Sequence, residues 1–217
     1  MNDSPVAFHV ILCTYGFWLP NDPRGSWSTF VRAPNIAPFG SATKVDTRRS
    51  VAGRAHDHRQ RELAKQALVR PAVEFNGLQA RAVGRGFAAQ VETSGYVIHA
   101  CCVMPDHGHL VIRRHRYSIE QVVRSLRQAA TLRLLEESLH PFADQRLESG
   151  RLPSVWSQGF WKVFLFNGND VIRSIRYVER NPEKSGLRPQ RWPFVVPFDP
   201  GANPRCLRVD HALKSAD

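Results

Sequence analysis

The chain has 217 residues, 42% of them hydrophobic, which is enough for one full domain and too apolar for wholesale disorder. Its net charge of +11 and isoelectric point of about 10.3 favour a polyanionic partner, nucleic acid before an anionic membrane surface. No apolar run approaches a membrane span, and Met1–Pro5 lacks the basic stretch of a signal peptide, so the expectation is a cytoplasmic protein with no membrane partner.

Phe8–Thr14 reads as a first, largely buried strand. Tyr15–Trp27 is rich in Gly, Pro, Asp and Trp and reads as loop. Its Trp18, Arg24 and Trp27 are candidates for stacking on bases or holding phosphate, with packing preferred for Trp18. Thr29–Arg54 has no period and reads as an irregular insertion. A short helix follows over Asp57–Val69, stopped before Pro71. His56 and His58 open it, and a helix start is expected to splay them into solvent.

Asn76 is an N-cap for a helix of about 17 residues ending near Gly95, with Val83, Phe87 and Val91 buried. Two β-prone runs, Tyr96–Met104 and Leu110–Ile112, flank a Pro-Asp turn and predict a hairpin. Ser118 caps a helix to about Glu137. Ile119, Val122, Val123, Leu126 and Ala130 point inward, while Arg124, Arg127 and Gln128 face away. Pro141–Pro153 is a polar linker, and a strand is predicted near Lys162–Phe166. A helix over Asp170–Pro182 carries an apolar stripe of Val171, Ile172, Ile175 and Val178 at about 100° per residue. The Pro- and Arg-rich remainder packs through Trp192 and Phe194 and frays at its end.

The order strand, helix, strand, strand, helix, strand, helix predicts a split βαβ, ferredoxin-like α+β sandwich with an antiparallel sheet. One domain over residues 1–198 is expected, with an insertion at about 16–74 and a tail at 199–217. That fold hosts many functions and supports none by itself. Cys13, Cys101, Cys102 and Cys206 form no C-x-x-C pair, so a zinc knuckle is not expected. The thiols read as reduced.

The chemistry concentrates in two stretches. His107 and His109 open the second hairpin strand, where residues two apart share a face. Two imidazoles converging from a strand can hold a divalent metal and leave positions for substrate. On the last helix Tyr177 lies roughly 150° round from the apolar stripe, with Arg173 and Asn181 at i−4 and i+4. That places the phenol at a surface or cleft. Read blandly, the histidines are a surface pair, and Asn181 before Pro182 is a helix stop.

Together, V-M-P-D-H-G-H-L-V, R-Y-V-E-R-N-P-E-K-S-G-L and the W-P-F of Trp192–Phe194 resemble the single-tyrosine HUH nucleases. Within them the chain is similar to the REP-associated tyrosine transposases. T-Y-G-F-W-L-P-N-D-P-R-G resembles a subgroup. The likeness spans most of Phe8–Phe198, with a poor match over Gly25–Phe75. One departure is Gly108 between the histidines where the family has a bulky hydrophobe, and glycine inside a strand often marks a bulge.

The resemblance implies that Tyr177 attacks a DNA phosphate to give a 5′-phosphotyrosine and a free 3′ hydroxyl. It implies Mg²⁺ or Mn²⁺ held by His107, His109 and Asn181, and single-stranded DNA beside a hairpin as substrate. Arg173, Arg176 and Arg180, with Arg124 and Arg127 on the preceding helix, are the expected DNA contacts. Monomer and homodimer both stay open. The rival readings are a non-catalytic nucleic-acid-binding module on the same fold, and a small-molecule metallohydrolase built on the histidine pair.

Overall fold

In the computed structural model, which describes residues 4–45, 51 and 53–201, the strands are β1 (Ala7–Cys13), β2 (Ile98–Val103), β3 (His107–Arg113) and β4 (Trp161–Leu165). The helices are α1 (His58–Gln66), α2 (Gly77–Ser94), α3 (Ile119–Glu136) and α4 (Gly168–Lys184). The strands form one antiparallel sheet in the order β2-β3-β1-β4. This is the ferredoxin-like α+β arrangement expected from the element order.

Local chemistry sets the helix bounds. Asn76 accepts from the backbone N–H groups of Leu78 and Gln79, and the Gln79 side chain accepts from Asn76 N–H, which satisfies N-terminal donors that no helix can bond internally. Gly95 closes α2 in the left-handed conformation at φ +66°. Ser118 and Gln121 form the same reciprocal cap on α3. α1 stops at Gln66, short of the expected end at Val69. α4 runs through Pro182 to Lys184 rather than stopping at Asn181. A proline one turn from a helix end removes a single internal hydrogen bond, and the last turn is completed by Ser185 and Leu187 N–H groups donating to Pro182 O.

Strand alternation gives the sheet two different faces. Phe8, Val10, Leu12, Ile98, Leu110 and Ile112 meet α2 and α3 in the main core, where Val83, Phe87, Val122 and Leu126 are fully buried. Each such side chain contributes roughly 1.5–3 kcal/mol by leaving water. Trp192 packs so close to α2 that a Cβ on Gly84 would come within 2.0 Å of its ring. The opposite face carries Ala7, Ala100, Cys102, Met104 and Val111, covered by Val171, Ile175 and Val178 of α4. Cys101 and Cys102 accordingly point to opposite faces. Cys13, Cys101 and Cys102 are free and buried, and burial raises all three thiols. Cys206 and most of the expected tail lie outside the described residues.

The insertion is more ordered than its lack of period implied. Leu19, Ile36 and Ala64 make a small core of their own with Leu68 and Phe39. No described helix is long and apolar enough to cross a membrane.

Candidate active site

β3 places His107, His109 and Val111 on the α4 face. Gly108 points the other way and stays in register, opposite Leu12 on β1 and Val103 on β2. The glycine therefore makes no bulge. A Cβ there would meet only Cys102 O, at 3.4 Å, an ordinary van der Waals contact. The rings of His107 and His109 lie 4.8 Å apart, nearly perpendicular. Tyr177 comes down from α4 with its ring 5.5 Å from that of His109. It is 45% exposed, which agrees with its position off the apolar stripe.

The H-x-H spacing gives no notice of a third histidine. His9 on β1 sits on the same face, with its Nε2 2.9 Å from His109 Nδ1 and its ring 5.6 Å from that of Tyr177. On the other side, His107 Nδ1 is 2.6 Å from Asp106 Oδ1, and Phe17 stacks on the His107 ring at 5.0 Å. Lys184 holds its ammonium 5.1 Å from the centre of the Tyr177 ring. One sequence signal does point to His9: it is the lone polar side chain of an otherwise apolar strand core.

These contacts bear on whether the site suits a divalent ion. Each of the two ring Nδ1 atoms is engaged within the protein, one by a carboxylate and one by a neutral imidazole. Such partners orient a ligand ring and leave Nε2 for a metal. In that tautomer His109 Nδ1–H donates to His9 Nε2. Among the described residues no three His, Cys, Asp or Glu side chains cluster for a metal, so a third protein donor would have to be an amide or hydroxyl. Asn181 stands one turn from Tyr177, and its Nδ2 is buried without a partner. Rotating that amide would present Oδ1 there instead, and the two assignments differ only in hydrogen bonding. Two imidazoles and an amide oxygen suit an ion that also takes oxygen ligands from substrate. The residues present fit the group.

Burial also sets the charge state. It lowers His9 from 6.5 to about 4 and pushes His109 well below its ordinary range, with the neighbouring His107 and His9 adding to the effect. Tyr177 is raised above 10 by burial, then by Cys102. In acid the unfolded chain takes up a proton at His9 that the folded protein refuses. The contribution of His9 is whole above about pH 6.5 and is lost as pH falls towards 4. Unfolding free energies from urea titrations should drop across that window by up to about 3 kcal/mol from this residue. His9→Gln should shrink the drop, and an equal drop in the variant would contradict the assignment.

The arginines divide. Arg173 and Arg180 flank Tyr177 on the exposed side of α4, and Arg173 pairs with Asp170. Arg176 instead lines a cleft of about 410 Å³ with His99, Glu179 and Phe198 on the β2 side. α3 packs on the opposite face of the sheet, so Arg124 does not share the tyrosine's surface. Arg127 does not face away as expected. It donates to Ser157 O at 3.1 Å and Gly159 O at 2.6 Å, because the loop before β4 folds back over α3 and needs its carbonyls satisfied. His56 and His58 are not splayed either; their rings are 4.0 Å apart, with His56 Nδ1 2.8 Å from Arg54 O.

An antiparallel α+β sheet whose central strand turns two histidines towards a tyrosine on the closing helix is the arrangement that defines this chain. The sequence profile described as "Transposase IS200 like" matches residues 70–181, a span that contains His107, His109, Tyr177 and Asn181. It covers a little over half the chain, and the chain belongs to the IS200-like transposase family. A Haemophilus influenzae protein assigned as a REP-associated tyrosine transposase is 25% identical over 118 residues, 48% of this chain and 66% of the relative. The chain thus spans just under two thirds of that relative's length. Among solved structures, a REP-associated tyrosine transposase bound to a REP hairpin aligns at 19% identity and TM-score 0.41, covering 58% of this chain and 70% of its own. A Deinococcus radiodurans R1 protein assigned to the transposases aligns at 14% identity and TM-score 0.37, covering 81% and 90%.

Proposed function

We propose that this transposase-family chain is a metal-dependent single-stranded DNA endonuclease and strand transferase that works through a covalent 5′-phosphotyrosine on Tyr177. The observation that carries the reading is the juxtaposition of a half-exposed phenol with two histidines on one strand face, 5.5 Å from the nearer ring. The Tyr177 oxygen attacks phosphorus and gives up its proton. The bond to the 3′ oxygen breaks, and that oxygen leaves as a hydroxyl. The phosphoester energy is retained, so a 3′ hydroxyl can later reverse the step and rejoin the strand. A phenol raised above its usual pKa is a weak nucleophile at neutral pH. A divalent ion held by His107, His109 and Asn181 would neutralise charge on the scissile phosphate and align it for in-line attack. Asp106 and His9 orient the two rings.

The sequence resemblance, and the REP-associated name of the curated relative, support hairpin-flanked single strands as the substrate class. The test is incubation with such DNA and Mn²⁺ or Mg²⁺, followed by a denaturing gel. A metal-dependent protein–DNA adduct is expected. Tight binding with no adduct would favour the non-catalytic module instead.

The arginines of α4 make a second prediction. Replacing Arg173, Arg176 and Arg180 together should lower affinity and flatten the salt dependence. On a single strand the slope of log K against log salt changes by about 0.7 per phosphate that the protein ceases to neutralise. With Arg176 turned to the cleft, most of that change is expected from Arg173 and Arg180. A triple variant with the parent's slope would place the DNA backbone elsewhere.

A further inference from the structure

We infer that Trp27 and Trp161 form a base-stacking platform for the single-stranded segment leaving the histidine–tyrosine site, an inference that rests on the DNA-processing reading above. Across the sheet, Ile11 of β1 pairs with His109 on one side and with Trp161 of β4 on the other. Residues directly opposite one another point to the same face. Trp161 therefore rises from the same surface as His109, two strands or about 10 Å away. That distance equals about three stacked bases at a rise of 3.4 Å.

α4 lies over β2 and β3 and leaves the β4 end of this face open, where Val163 is 47% exposed. Aromatic rings fill the interval without a break. Phe17 stacks on His107, Trp18 meets Phe17 at 5.7 Å and Trp161 at 6.0 Å, and Trp27 lies 3.8 Å from Trp161. Trp18 is committed to packing: its Nε1–H donates to Gly25 O at 2.8 Å, and Arg24 covers its ring at 3.9 Å. Arg24 is in turn held by buried Asp22, which also takes Arg61 of α1. The loop is thus braced from below, and Trp27 stands on it 49% exposed.

A rigidly mounted, half-exposed indole beside a phosphate-handling site suits the planar face of a base, whatever its identity. The sequence of the insertion, with ten basic and five acidic residues between Gly16 and Phe75, has the charge balance that suits a phosphate backbone. An apolar peptide would gain nothing from that charge.

The test is metal-free binding of the full chain to a DNA hairpin carrying a single-stranded thymidine tail, against the same hairpin whose tail lacks its bases. Both tails have the same phosphates, so their difference reads stacking alone. The unmodified protein should prefer the intact tail by about 5- to 150-fold. Trp27→Ala should bring that ratio close to one with an unchanged salt slope, and Trp27→Phe should restore most of it. Equal binding of the two tails by the unmodified protein, or a full preference kept by Trp27→Ala, would overturn the platform. An adduct in the metal-containing reaction without any tail preference would leave cleavage standing and remove the platform. A Trp27-dependent preference with no adduct would do the reverse.

Discussion

Tyr177→Phe is expected to abolish the denaturant-resistant protein–DNA adduct while leaving the unfolding free energy within about 0.5 kcal/mol of the parent. The change deletes one oxygen from a side chain that is 45% exposed, and the phenyl ring that meets His9 and His109 remains. The packing of α4 depends on Val171 and Val178, both fully buried, and not on the hydroxyl. Binding to hairpin DNA should also persist, because the phosphate contacts we propose are made by the arginines and not by the Tyr177 hydroxyl. The measurement is a denaturing gel with labelled DNA, read beside a urea titration. Undiminished adduct in the variant would remove Tyr177 from the mechanism. A variant that loses adduct only because it unfolds would show itself in the titration.

The histidine substitutions should separate stability from chemistry. His107→Ala removes a part-exposed ring held by Asp106 and Phe17, so a stability change of less than about 1 kcal/mol is expected. His109→Ala empties a site that is 2% exposed and strands the His9 Nε2 that faced it. An unsatisfied buried polar group costs about 1–3 kcal/mol, so this variant should be measurably less stable. Both should lose divalent-ion binding by calorimetry and all metal-dependent cleavage. Asn181→Ala should weaken both, and changes to Asp106 or His9 should cost about 10- to 100-fold in metal affinity. Unchanged ion binding by His107→Ala would exclude the strand pair as ligands, whatever happened to cleavage.

Much of this was legible in the chain because it depends on short-range physics. Asn76, Gly95 and Ser118 mark their helix ends through bonds made within a few residues. The two-residue spacing of His107 and His109 puts them on one face of any strand, and the offset of Tyr177 from Val171, Ile175 and Val178 follows from the helical period. The order of elements was sufficient for the ferredoxin-like class, since short connections and antiparallel pairing leave few alternatives.

The rest was decided by contacts between distant residues. His9 meets His109 across 100 positions only because β1 and β3 pair in a register that local pattern does not specify. Trp161 joins the same face through a second register, between β1 and β4. Arg127 looked like an outward-facing cation because the helical wheel contains no term for a loop that folds back over it. Arg176 and Arg180 sit on the same row of α4 one turn apart and both are exposed, yet the segment around Phe198 forms a cleft with Arg176 and not with Arg180. Side-chain direction about a helix or strand is a local property that the sequence determines by itself. What stands opposite each side chain depends on register and packing, which only the assembled sheet and its covering helices set.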